Sequence, residues 1–156
     1  MDYSQLIMTT PPATSPVTLA EVKAHTRVDF DDDDALLQTM LDAAIEHVQT
    51  ILGRQLNPAT YELHLAGFPA GNIALPLSPV SSVAGITYRD RNGASQTFTD
   101  WQAYLGKDTP FIAPTTSWPA TEQHPDAVVV QFVAGFTAVP DRARITIMSL
   151  VSHWYD

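Results

Sequence analysis

The chain has 156 residues, with 17 acidic against 8 basic side chains, five histidines, no cysteine and a formal net charge of -9. At that length one core buries roughly 70% of the surface the unfolded chain exposes, so folding needs neither disulfides nor a structural metal. The lack of cysteine excludes thiolate catalysis, iron–sulfur clusters and thiol switches, and eight cations are too few for tight wrapping of nucleic acid, which depends on Lys and Arg neutralising phosphates.

Residues 1–16 carry Pro11, Pro12 and Pro16 among Thr, Ser and Ala without a sustained apolar period, which predicts a mobile, extended arm. Thr18 and Glu21 have capping-box spacing, in which hydroxyl and carboxylate satisfy reciprocal backbone donors, so a short helix begins there and spans about 18–27. The run Asp31-Asp32-Asp33-Asp34 precedes Leu36, Leu37, Met40, Leu41, Ala44, Ile45, Val48 and Leu52, a broad apolar stripe at helical spacing that predicts a second helix over about 33–53. Gly53 ends it, with carboxylates at its positive end and Arg54 at the other.

After Asn57-Pro58 the texture changes: Tyr61, Leu63 and Leu65 alternate with Glu62 and His64, as in a half-buried strand. Val83 to Tyr88, the Asp90-Arg91-Asn92-Gly93 turn and Gln96 to Phe98 read as a hairpin. Ala127 to Ala134 is nearly all apolar, which predicts a central strand covered on both faces and closed by Gly135. Pro110, Pro114, Pro119 and Pro125 predict a long irregular connection before it. Pro140 opens a last helix over about 140–155, with Ala143, Ile147, Leu150, Val151 and Trp154 on its apolar side. The expected fold class is α+β, with helices flanking a small, mainly antiparallel sheet over about 60–135, as a single domain of residues 17–156 behind the arm 1–16.

The patterns that carry chemistry are missing. Asp29, Asp31 and Asp33 have the alternation that begins a calcium loop, but such a loop needs Gly at its sixth position and Glu at its twelfth, where Asp34 and Met40 stand. The run reads instead as a solvated helix cap with surplus charge. His25, His47, His64, His124 and His153 fall in different elements without metal-ligand spacing. No nucleophile elbow, phosphate-cradling loop or dinucleotide glycine pattern occurs, so no catalytic residue, metal or cofactor is expected. The spacing of Trp101, Trp118 and Trp154 does not make a stacking platform, and Trp118, without a basic neighbour in the sequence, reads as core or protein-interface packing. Arg142 and Arg144 form a local basic cluster at the start of the last helix.

Charged residues make up 16% of the chain and hydrophobic ones 45%, against about 25% charged in ordinary soluble domains. Such a low-charge surface suits work against other proteins. No apolar stretch reaches the ~20 residues that span a bilayer. Met1-Asp2-Tyr3 lacks a basic leader, and a cytoplasmic product without membrane anchoring is expected.

The order of several stretches resembles a known family. Pro16-Val17-Thr18-Leu19-Ala20-Glu21-Val22-Lys23 leads into the Asp-rich start of a long helix that closes with Gly53-Arg54-Gln55-Leu56. Leu75-Pro76-Leu77-Ser78-Pro79-Val80-Ser81-Ser82-Val83, Ile86-Thr87-Tyr88-Arg89-Asp90, Val128 to Val133 and a terminal His153-Trp154-Tyr155 follow. Over about residues 16–155 this is similar to the head-tail connector (adaptor) proteins of long-tailed phages and phage-derived gene transfer agents. The resemblance implies a non-enzymatic virion protein of the neck, assembled in a host bacterial cytoplasm, that forms a twelve-subunit ring beneath the portal. It implies as partners the portal protein, neighbouring copies, a tail-side stopper or tail-terminator component, and DNA passing through without specific binding.

Family members usually continue beyond the His-Trp-Tyr stretch, whereas this sequence stops at Asp156, which leaves Arg142, Arg144, Trp154 and Tyr155 as candidates for the portal contact, with Trp118 a further interface candidate. Asp31, Asp32, Asp33 and Asp34 are candidates for a channel-facing acidic wall that repels phosphates. The alternative reading is an acidic protein-binding module that mimics DNA or blocks a host protein.

Overall fold

A computed structural model describes residues 3–106 and 108–156. Its elements in chain order are β1 (Tyr3–Thr10), α1 (Leu19–Thr26), α2 (Asp34–Leu52), β2 (Ala59–Leu65), β3 (Ile73–Ala74), β4 (Val80–Arg89), β5 (Ser95–Phe98), β6 (Trp101–Tyr104), β7 (Phe111–Pro114), β8 (Val128–Ala134) and α3 (Asp141–Tyr155). The α+β class is as expected. No described helix is long and apolar enough to cross a membrane.

The helices form where local chemistry directs them. Glu21 N–H donates to Thr18 Oγ1 at 3.2 Å and Thr18 N–H to Glu21 Oε2 at 3.0 Å, closing the capping box of α1. Gly53, at φ 62, takes the left-handed cap conformation that ends α2. Leu37, Leu41, Ala44 and Val48 recur every three or four residues and are buried. They meet Ala143, Ile147 and Val151 of α3, Val22 of α1 and the flanking Val17 and Leu56 in one apolar cluster. Burying each large aliphatic side chain stabilises the helical layer by about 1.5–3 kcal/mol.

The strands keep a second cluster of their own. A five-stranded antiparallel sheet runs β1-β2-β8-β4-β5, and a three-stranded sheet runs β3-β7-β6. Tyr61, Leu63 and Leu65 of β2, Val128, Val130 and Phe132 of β8, and Ile86 of β4 point to the face where Ile73 and Ile112 of the small sheet are also buried. Tyr61 pairs with Phe132 and Leu63 with Val130 across the β2–β8 ladder, with the Tyr61 and Phe132 rings stacked 5.8 Å apart.

Three expectations are refined. β8 is the middle strand of its sheet, but it is covered fully on one face only: Val128, Val130, Phe132 and Ala134 are buried, Val129 and Val133 half-buried, and Gln131 exposed. Antiparallel sheets tolerate one wetter face, and hydrophobicity alone did not reveal it. The proline-bearing connection is not wholly irregular, because Phe111–Pro114 pairs with both β3 and β6, with Pro114 beyond the end of β3 and opposite Trp101 of β6 alone. Within the expected arm, Tyr3–Thr10 is extended and also hydrogen-bonded to β2 along the sheet edge, with Leu6 packed against the strand cluster.

Candidate interaction surfaces

Apart from Trp118, the residues singled out by sequence gather in the helical layer, and most of them hold it together. Lys23 reaches from α1 to Asp31 at 2.7 Å and Asp34 at 2.8 Å. The bond to Asp31 is the chief reason that the Lys23 ammonium is held above its ordinary value, and the same bond holds Asp31 below its own. Tyr155 donates its hydroxyl to Asp33 Oδ2 at 2.6 Å, joining the end of α3 to the start of α2 and raising the phenol's pKa. The acidic run is therefore the seam of three helices. Asp32 remains exposed and without an ion pair among the described residues.

Arg142 and Arg144 are two residues apart but differ in role. Arg144 faces α1, where it donates to Glu21 Oε1 at 2.6 Å and to the Pro16 carbonyl at 3.1 Å. Glu21 is held below the usual carboxylate range first by the Thr18 backbone N–H, opposed by partial desolvation, and then by Arg144. Arg142 is exposed and, among the described residues, forms no ion pair. Trp154 is 39% exposed, with its ring edge-on to His47 of α2 at 6.5 Å.

Trp118 lies elsewhere, packed against the strand cluster. Its ring stacks on Phe68 at 4.8 Å with 6° between the planes, beside Phe98, and its indole N–H donates to the Gly71 carbonyl at 2.7 Å. With its polar atom satisfied by the chain itself, Trp118 anchors a local aromatic cluster.

Of two further features, the stretch after α2 was noted in the sequence only as a helix end and for its order along the chain, and the groove beside it was not singled out by sequence. The Gly53-Arg54-Gln55-Leu56-Asn57 stretch folds into the hinge between helices and strands: Leu56 is fully buried, Tyr61 donates to Gln55 Oε1 at 2.9 Å, Gln55 donates to the Asn57 carbonyl at 3.0 Å, and Asn57 donates to Thr14 at 2.8 Å. Beside it, the second half of α2 and the first half of α3 enclose a groove of about 560 Å³ lined by Ile51, Leu52, Phe136 and Leu150 together with Arg54 and Arg142. The signal for this groove was the breadth of the α2 stripe. Of its eight apolar residues four are buried, while Leu36 and Leu52 stay 49% and 47% exposed, and Ile51 beside them is 70% exposed.

The stretch from just before α1 through β6 coincides with a family match. The model for the phage gp6-like head-tail connector protein family matches residues 16–105, more than half of the chain. The chain belongs to that family.

Among solved structures, this connector is similar to a chain described as the neck of an empty GTA particle computed with C6 symmetry, with a TM-score of 0.82 and 23% identity over 97% of the connector and 83% of that chain. It is similar also to a chain of the virion of a native gene transfer agent (GTA) particle, with a TM-score of 0.82, 22% identity and coverage of 97% and 84%. A third, described as the neck of a native GTA particle computed with C12 symmetry, has a TM-score of 0.79, 22% identity and coverage of 97% and 82%. These likenesses establish the fold over nearly the whole chain. No curated protein matches the connector.

Proposed function

We propose that this connector is a ring-forming subunit of a virion neck, assembled in a host bacterial cytoplasm, that sits beneath the portal, lengthens the DNA channel and joins head to tail. The single observation that carries the reading is the family match over residues 16–105. Likeness to chains from particle necks, one of them computed with C12 symmetry, supports a ring of twelve. Its partners are the portal, neighbouring copies and a tail-side stopper or terminator. Residues 17–156 act as the connector body, with the N-terminal stretch laid along its sheet edge.

The mechanism is burial of surface between proteins, with no bond made or broken. Arg142 and Trp154 are the candidates best placed for portal or subunit contact, because both are exposed, whereas Arg144 and Tyr155 are engaged with Glu21 and Asp33. DNA passes a wall of like charge: with a net charge of -9 the connector repels phosphates and does not retain them. The Asp31 to Asp34 run contributes to that wall if it faces the lumen, with part of its charge offset by Lys23. The alternative of an acidic module that mimics DNA finds no support, since the run is stitched to Lys23 and Tyr155 and is not laid out as a free stripe.

The test is deletion of the connector from the particle-producing genome, followed by electron microscopy. The expected outcome is filled heads and free tails that fail to join. Particles with firmly attached tails in its absence would refute the reading.

A further inference from the structure

The groove between α2 and α3 is floored by Val48, Leu56 and Ala143 of the helical core and open above them, and its chemistry points to an occupant. Its walls are apolar, its charged lining residues are Arg54 and Arg142, and no carboxylate lines it. Among the described residues neither arginine forms an ion pair. In a chain with 17 acidic and 8 basic side chains, an apolar groove with only cations selects an apolar anchor flanked by carboxylates.

The chain itself carries such an anchor. Phe30, 46% exposed, stands in the loop between α1 and α2, preceded by Asp29 and followed by Asp31 and Asp32. Asp31 is held by Lys23, while Asp29 and Asp32 are exposed and have no ion pair among the described residues. This loop sits at the N-terminal end of α2 and the groove at its C-terminal half. The 19 residues of that helix span about 28 Å, so the loop of one chain does not reach its own groove. A patch and its complement at separate places on one subunit make a head-to-tail contact, which closes into a ring where the rotation per subunit permits.

We propose that Phe30 of one copy inserts into the α2/α3 groove of the next copy, with Asp29 and Asp32 meeting Arg54 and Arg142. The inference rests on the ring reading above and supplies its subunit contact.

The test follows amide shifts of the isotope-labelled full chain at low salt from about 20 µM to about 1 mM, a range that registers contacts too weak to persist when diluted. Amides of residues 29–32 and of Ile51, Leu52, Ala143 and Thr146 are expected to shift together with concentration. Phe30→Ser and Arg142→Glu should each weaken the association about tenfold or more, with the unfolding midpoint unchanged for Arg142→Glu, whose side chain is exposed, and lowered by only a few degrees for Phe30→Ser, whose ring is 46% exposed. A chain carrying Asp32→Arg together with Arg142→Glu should recover much of the association. Shifts that spare either patch at about 1 mM, variants without effect, or a closed twofold dimer at saturation would each overturn the contact. An image of the assembled neck separates the two readings: a ring whose grooves hold a portal segment or lie open removes this contact and leaves the ring, whereas a neck without the chain removes the ring itself.

Discussion

Gly135 is the position where one methyl group should do the most damage. It follows β8 at φ 133, and a Cβ there would lie 2.5 Å from the backbone of Asn57 and Pro58. Its N–H donates to the Pro79 carbonyl at 2.8 Å, and the next N–H, of Phe136, to the Leu56 carbonyl at 2.7 Å, so the central strand, the hinge after α2 and the start of β4 meet at this point. The glycine-only backbone conformation costs an alanine about 1–3 kcal/mol, and forcing a methyl against immobile backbone costs about 1–3 kcal/mol more. Gly135→Ala should therefore lose about 2–6 kcal/mol, and the middle of that range, about 4 kcal/mol, lowers the unfolding midpoint by about 8–16 °C at about 2–4 °C per kcal/mol for a chain of this size. Gly53→Ala is the control: φ is 62 but nothing lies within 4 Å, so only the left-handed penalty of about 1–2 kcal/mol applies. Urea unfolding followed by far-ultraviolet circular dichroism measures both, with an unchanged slope expected. If Gly135→Ala lost no more than Gly53→Ala, the argument from the Asn57 contact would be refuted.

Other outcomes follow from the helical layer. Thr18→Ala should cost about 1 kcal/mol through loss of the hydroxyl that caps α1, read in the same urea series. Arg142→Glu should leave stability within about 0.5 kcal/mol yet impair head-tail joining, whereas Arg144→Met, two residues on, should lose about 1 kcal/mol by releasing Glu21 and the Pro16 carbonyl; a stability loss as large at Arg142 would contradict the assignment. Because the folded pKa of Glu21 lies below its ordinary 4.5, the unfolded chain takes up that proton first on acidification. The stability it contributes is present above that value and is lost as pH falls through the folded one. Glu21→Gln should flatten the decline in unfolding free energy between about pH 5 and pH 3, and an unaltered slope would count against the capping-box and Arg144 contacts.

The periodicities in the sequence determined the local elements: the capping box at Thr18, the Leu37, Leu41, Ala44, Val48 face ended by Gly53, the alternation of β2 and the apolar run of β8 all reappear, because each rests on chemistry within a few residues. The family order was legible for the same reason, since its motifs are caps, turns and hinge residues. Only the tertiary structure decided how those pieces divide. It placed Tyr3–Thr10 on the edge of β2, fifty or more residues away, and gathered Ile73–Ala74, Trp101–Tyr104 and Phe111–Pro114 into a second sheet. It also graded the apolar α2 stripe, with Leu37, Leu41, Ala44 and Val48 buried, Met40 and Ile45 half-buried, and Leu36 and Leu52 exposed. Helical spacing reports which side chains share a face, but the width of that face covered by α3 depends on where another element packs. Charge behaves likewise: Asp33 and Arg144 look like surface ions in the sequence, and Tyr155 and Glu21, over a hundred residues distant, make them internal stitches while Arg142 and Asp32 stay outside.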